Sequence, residues 1–241
     1  DKNGLRQWRE CALVVARKNG KSLLASAIAR YFWASGVDGF GTRIYTIAPK
    51  LEQAEIIYSN IWVMTQLDPE WQEKKRLSEK KDVHKKKLND DSEMERHRQT
   101  DLYIPATNST VKKIAFSAKK SDGFNPSMTI CDEIASWEGD KGLKQYEVMK
   151  SAMGARPDAF MLSCSTSGYI NDSIFDELIK RSTRFLMGDS KERRLLPFLY
   201  IIDDPQKWDD INELRKSLPG LGDSVSVKFI LREIATAESS L

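Results

Sequence analysis

One junction constrains this chain more than any other. The apolar run Ala12-Leu13-Val14-Val15-Ala16 passes directly into Arg17-Lys18-Asn19-Gly20-Lys21-Ser22, after which Leu23, Leu24, Ala27, Ile28, Tyr31 and Phe32 recur at helical spacing. A β-branched run, a glycine turn and an amphipathic stretch in that order make a strand–loop–helix unit. At such a junction successive backbone N–H groups and the helix N-terminus turn outward together and attract an anion. Lys21 adds an ammonium for outer phosphates and Ser22 a hydroxyl for Mg²⁺, so Arg17, Lys18, Asn19, Gly20, Lys21 and Ser22 are the candidate triphosphate-binding residues. The pattern G-x-x-x-x-G-K-[ST] is incomplete, because Val15 stands where its first glycine belongs. Taken alone, the segment also reads as an ordinary helix start.

With 241 residues and 40% hydrophobic content the chain can bury a sizeable core, either as one large domain or as a core with a small appendage. It has no long uncharged apolar run and no signal-peptide-like start, so a membrane-free, intracellular protein is expected. Cys11, Cys131 and Cys164 stand in or beside strand-like runs without C-x-x-C spacing and read as buried, reduced thiols. Lys+Arg at 38 against Asp+Glu at 35 leaves a net charge of only +3, so any basic surface must be local.

Short apolar runs at Ala12–Ala16, Arg43–Ala48, Met128–Cys131, Phe160–Ser163 and Phe198–Ile202 alternate with helical stretches, which argues for a parallel α/β sheet. Helices are expected over Lys21–Ala34, Leu51–Leu67, Ser173–Met187, Trp208–Leu218 and Val227–Ala237. Leu102–Ile104 and Val111–Phe116 flank Asn108-Ser109 and read as a hairpin. Trp71–Arg98, rich in Lys, Glu, Arg and Asp, is expected as a mobile surface excursion, either a solvated face or a DNA-tracking one. Few apolar residues remain after Ile202 to extend a sheet, and Pro205 and Pro219-Gly220 punctuate that part. The expected division is therefore a core over 1–202, with a charged excursion at about 71–98, and a small helical subdomain over 203–241.

Two further strand ends carry chemistry. Ser127-Met128-Thr129-Ile130-Cys131-Asp132-Glu133 ends in adjacent carboxylates, at the end of a strand where open α/β sheets bind ligands. Asp132 is the candidate partner of Ser22 for Mg²⁺, and Glu133 the candidate base that orients and deprotonates an attacking water. The alternative is an acidic helix cap facing solvent. Met161-Leu162-Ser163-Cys164-Ser165-Thr166-Ser167-Gly168 ends in hydroxyls that either sense a γ-phosphate or form a simple Ser/Thr-rich turn.

At these three places together the chain resembles the ATPase domain of large terminase subunits, the motors that package double-stranded DNA into heads of tailed phages. The likeness covers nearly the whole chain. Its most specific element is Arg17-Lys18-Asn19-Gly20-Lys21-Ser22, since terminases tolerate a phosphate loop without the first glycine and with an arginine ahead of Gly-Lys-Ser/Thr. Gly123-Phe124-Asn125-Pro126 before the Asp-Glu strand, and Ala48-Pro49-Lys50-Leu51-Glu52-Gln53-Ala54, also suit the family, with Gln53 structural or DNA-facing.

The resemblance implies a RecA-like (ASCE) P-loop NTPase core, a mostly parallel sheet flanked by helices, with a small C-terminal helical lid. It implies ATP with Mg²⁺, Lys21 and Arg17 as catalytic cations, Asp132-Glu133 as the Walker B pair with Glu133 activating water, and Ser165-Thr166-Ser167 as the coupling motif. It also implies double-stranded DNA, a portal protein and a small terminase subunit as partners, a homo-oligomeric ring at work with a monomeric isolated domain, and the cytoplasm of an infected bacterial host. Two features depart from it. Where many terminases carry a trans-acting arginine, Asp122 precedes Gly123, leaving Lys119 and Lys120 as the nearby cations. The chain begins at Asp1 and stops at Leu241, without the upstream adenine-contacting segment or the nuclease domain of the family, so weak nucleotide affinity and no DNA cleavage are expected. Two rival functions share these residues: a helicase-like, nucleic-acid-stimulated ATPase, and an idle nucleotide-binding or portal-docking module.

Overall fold

Every residue of the first strand, β1 (Glu10–Val14), is buried, and its side chains divide by alternation between two cores. The computed structural model describes residues 4–36, 39–82, 94–115, 123–168 and 173–239. Along them follow α1 (Lys21–Ala34), β2 (Arg43–Ala48), α2 (Leu51–Leu67), α3 (Pro69–Asp82), β3 (Arg96–His97), β4 (Leu102–Ile104) and β5 (Ser109–Ala115). Then come β6 (Met128–Cys131), α4 (Gly139–Ala152), β7 (Phe160–Ser165), α5 (Ile174–Leu186), β8 (Leu195–Leu199), α6 (Ile211–Ser217) and α7 (Val227–Glu238).

These strands form one sheet in the order β3-β4-β5-β2-β6-β7-β1-β8. From β5 to β8 all pairings are parallel; β3 and β4 add an antiparallel edge, the β4–β5 hairpin turning at Asn108, whose φ of 51° asparagine tolerates. β7 lies between β1, which leads into the loop before α1, and β6, which Asp132 follows. The result is the mixed α/β, RecA-like arrangement expected, with α1 and α2 on one face and α4 and α5 on the other.

Leu13 and Val15 join Ala25, Ala29, Phe32 and Trp33 of α1 and Ile57, Tyr58 and Ile61 of α2 in one core. Ala12 and Val14 join Tyr146 and Met149 of α4 and Ile174, Phe175 and Leu178 of α5 in the other. Full burial of each large apolar side chain contributes about 1.5–3 kcal/mol before entropy, and these two layers fix the strand register. The three cysteines are free and buried. Among the described residues no helix is long and apolar enough to cross a membrane.

Three expectations shift. The start of the charged excursion is helical: Pro69 opens α3, and Trp71 is buried edge-on against Trp62, an anchor strong enough to dock an otherwise polar helix. The last strand is Leu195–Leu199 rather than Phe198–Ile202, because pairing with β1 sets it, and Pro197 is tolerated where β8 forms the sheet edge. After Ile202, the helix expected from Trp208 begins only at Ile211, where Asp210 caps it; the residues before it form a 3-10 turn at Pro205–Lys207 and a non-helical stretch over 208–210. Leu218, Leu221 and Val225 of this last segment form a small third core that also takes in Ala16 of the loop between β1 and α1.

Candidate functional site

The site is built at the carboxyl ends of β1, β6 and β7. Val15 N–H donates to Ser165 O at 3.1 Å, which carries the chain past the end of β1 before it turns. Lys18 (φ 65°) and Gly20 (φ 74°) then adopt the left-handed conformation and fold the loop back onto the start of α1. Glycine takes that torsion freely, whereas Lys18 costs of order 1–3 kcal/mol there and must be held by its surroundings. Asn19 helps: its Nδ2 donates to Ala16 O at 3.0 Å and Arg17 O at 3.1 Å.

The N-terminus of α1 has no side-chain cap and no acidic residue in its first turn. By contrast α5 carries a capping box, and Asp210 and Ser226 cap α6 and α7. The orphan donors of α1 open onto a cavity of about 240 Å³ lined by Arg17, Lys18, Gly20, Lys21, Ser22, Glu133 and Thr166. That is the geometry of an anion cradle.

Lys21 crosses to the end of β6. Its Nζ lies 3.3 Å from Asp132 Oδ1 and is also bound to Glu133 Oε1. Lys21 is only 8% exposed and Asp132 3%, so this is a buried ion pair whose rupture on one side costs far more than that of a surface pair. Burial disfavours the Lys21 charge, yet Asp132 and Glu133 outweigh it and raise the ammonium pKa. Burial raises the Asp132 pKa, and the Glu133 carboxylate raises it further against the opposing pull of Lys21. Two carboxylates share this one ammonium, so the buried cluster by itself carries a net negative charge.

Glu133 itself stands at φ 51°, the second strained residue here; of the three described non-glycine residues with positive φ, two are in this site. Its N–H donates to Asp132 Oδ1 at 3.1 Å, and Thr166 Oγ1 donates to its Oε2 at 3.4 Å. Ser165 Oγ accepts from Ala135 N–H at 3.0 Å, tying the end of β7 to the loop after Glu133. The structure thus brings Arg17, Lys18, Gly20, Lys21, Ser22, Asp132, Glu133 and Thr166 together. Ser167 is exposed at the strand end, and Lys119 and Lys120 lie outside the described residues.

Two further residues belong to the site and carry no local sequence signal. Trp137, fully buried, donates from Nε1 to Asp132 O at 2.9 Å and so pins the strand end that carries the acid. Gly220 N–H donates to Asn19 Oδ1 at 2.8 Å from 201 positions away. Among the described residues no group of three or more His, Cys, Asp or Glu side chains is arranged to hold a metal ion. A divalent ion held by one carboxylate, one hydroxyl and substrate phosphates needs no such cage, and the charge deficit at Asp132 and Glu133 fits a bound cation.

Comparison with known proteins gives this arrangement its family. Protein YmfN of Escherichia coli (strain K12) is 28% identical over 123 residues, 51% of this chain and 26% of that protein. The crystal structure of the HK97 bacteriophage large terminase superposes with a TM-score of 0.73 at 20% identity, over 96% of this chain and 43% of that chain. The Thermus phage P74-26 large terminase ATPase domain gives a TM-score of 0.48 at 19% identity, over 79% of this chain and 74% of that one. The chain therefore spans about a quarter of YmfN and less than half of the HK97 protein. At 20% identity the HK97 likeness concerns the fold. The family model for the terminase large subunit ATPase domain matches residues 2–184, three quarters of the sequence, and the chain belongs to that family.

Proposed function

We propose that this chain hydrolyses ATP to drive double-stranded DNA through a phage packaging machine. The observation that carries the reading is the convergence of Lys21, Asp132 and Glu133 beneath the uncapped N-terminus of α1. The backbone N–H groups of that helix start cradle the phosphates, and Lys21 leaves its carboxylates to meet the outermost one. Arg17, exposed on the cavity wall, adds a guanidinium able to spread over phosphate oxygens. Ser22 and Asp132 would hold Mg²⁺, which when bound would neutralise charge on the outer phosphates. Freed of Lys21, Glu133 orients and deprotonates the attacking water while Thr166 keeps its second oxygen fixed.

Ser165, Thr166 and Ser167 report the state of the site through the Ser165–Ala135 bond and the Thr166–Glu133 contact. Residues 1–202 are the ATPase core, and 203–241 a helical lid whose small core rests on Ala16 of the phosphate loop. The working form is a homo-oligomeric ring in the host cytoplasm that engages a portal protein and a small terminase subunit, with Lys119 or Lys120 reaching a neighbour's nucleotide.

Phosphate release from Mg-ATP, with and without duplex DNA, tests the reading. Glu133→Gln should lower the rate by about 10²–10⁴-fold while nucleotide still binds. An unchanged rate in that variant would overturn the enzymatic assignment.

A further inference from the structure

We infer that Asn19 is a positioning residue of the nucleotide site, and that it acts by joining the phosphate loop to the C-terminal helical segment through Gly220. This rests on the ATP-binding reading above, and it assigns to the segment a share in binding that a lid moved by hydrolysis does not require.

The Asn19 carboxamide is engaged on all sides. Nδ2 donates to Ala16 O and Arg17 O, at 3.0 and 3.1 Å, and Oδ1 accepts Gly220 N–H at 2.8 Å. Within the loop these bonds hold the left-handed turn whose flanking residues, Lys18 and Gly20, stand at positive φ. The segment adds two more contacts to the same few residues. Ala16 N–H donates to Ser217 O at 3.4 Å, and Lys18 Nζ lies 4.9 Å from the Phe229 ring centroid.

Gly220 is shaped for this contact. It sits in a turn closed by Leu221 N–H to Leu218 O at 3.0 Å and Val225 N–H to its own carbonyl at 2.9 Å. A Cβ on Gly220 would stand 2.2 Å from Ser224 Oγ and 3.0 Å from Asn19 Oδ1. Its φ lies outside the left-handed range, so the close approach and not the torsion calls for glycine. The turn rests on the buried Leu218, Leu221 and Val225, which makes it a firm abutment for the loop.

Asn19 makes no hydrogen bond to Lys21, Asp132 or Glu133. Its loss should therefore disorder the phosphate-facing N–H groups without touching the acid and base. Binding should suffer and chemistry should not.

The experiment titrates the full chain with a fluorescent ATP analogue and Mg²⁺, measures kcat and KM for ATP, and follows hydrogen exchange at the Gly220 amide. Asn19→Ala should weaken affinity about tenfold or more, as expected for a lost set of loop hydrogen bonds, with kcat within about threefold. The Gly220 amide should lose protection in Asn19→Ala but keep it in Arg17→Ala, which removes an exposed cation of the same cavity and leaves the latch. Gly220→Ala combined with Ser224→Ala leaves every loop residue in place, presses only on Asn19, and should weaken affinity in the same direction. It carries the test if Asn19→Ala fails to fold. Wild-type affinity in both sets of variants, or a fall in kcat at unchanged affinity, would overturn the inference. Failure of the unaltered chain to bind the analogue would overturn the ATP reading itself and the inference with it.

Discussion

Lys21 and Glu133, 112 positions apart, meet in an ion pair beside the cavity at the carboxyl ends of the central strands, with Asp132 as the lysine's second, more deeply buried partner. The pair joins the start of α1 to the end of β6, the two places on which the proposed chemistry depends, and in that proposal a more negative ligand draws the ammonium away.

Removing one side of this arrangement should expose its cost. Lys21→Met leaves Asp132 buried beside Glu133 with no cation, and the chain should lose on the order of 3 kcal/mol of stability at neutral pH. Asp132→Asn made in that background should restore most of the loss, since the uncompensated charge is gone. Urea denaturation of the single and double variants measures the coupling; additive losses would show that the two side chains do not interact energetically.

A second charged cluster lies at the opposite end of β1 and gives the pH dependence. Glu10, 6% exposed, accepts from Arg181 Nη1 and Nη2 at 2.9 and 2.8 Å and from Tyr146, and pairs with Lys150 at 3.0 Å. Burial disfavours its charge, but Arg181, Lys150 and Tyr146 prevail and lower its pKa from 4.5 to about 2. A depressed carboxylate stabilises the fold above its unfolded pKa and loses that contribution as pH falls through the folded value. Its share is about 3 kcal/mol at pH 7 and should fall to less than half of that near pH 3. Glu10→Gln should flatten this acid limb of the stability curve; an acid transition unchanged in the variant would assign it to other carboxylates.

Gly142 couples the helix after the acidic pair to the pair itself. A Cβ at this position would stand 2.3 Å from Trp137 O and 2.5 Å from Trp137 C, backbone atoms that cannot swing aside. Trp137 in turn holds Asp132 O through its indole N–H. Gly142→Ala, favourable for an isolated helix, should therefore destabilise the chain by about 1–3 kcal/mol and weaken nucleotide binding, although it lies outside the cavity. Thermal unfolding and analogue titration check both effects, and a gain in melting temperature would show that the backbone relaxes without strain.

The regular elements were legible where a single period governs them. Lys21–Ala34 and Leu51–Leu67 are helices over the residues expected, because their apolar positions repeat over several turns and each is bounded by a glycine, proline or polar break. The helix Gly139–Ala152 was not foreseen: Tyr146 and Met149 are its main buried apolar anchors among many charges, and no side chain caps its start. The strand Leu195–Leu199 differs from the local apolar run Phe198–Ile202 because neighbour pairing, not local hydrophobicity, selects its register. The phosphate-loop residues could be read locally, whereas the Gly220–Asn19 bond and the Trp137–Asp132 bond arise only from packing of distant segments.

The Thr166–Glu133 contact yields the last expectation. In this state both Glu133 oxygens are engaged, Oε1 by Lys21 and Oε2 by the Thr166 hydroxyl at 3.4 Å. In the proposed mechanism the lysine turns to a phosphate, Oε1 is then free to accept a proton from water, and the hydroxyl keeps the carboxylate from rotating out of line. Thr166→Val preserves shape and removes the donor. Its effect should be on turnover, a fall of about three- to tenfold as for one modest hydrogen bond, with nucleotide affinity and melting temperature unchanged. Single-turnover measurement of phosphate release separates this from binding, and a variant that loses affinity instead would place Thr166 on the nucleotide rather than on the base.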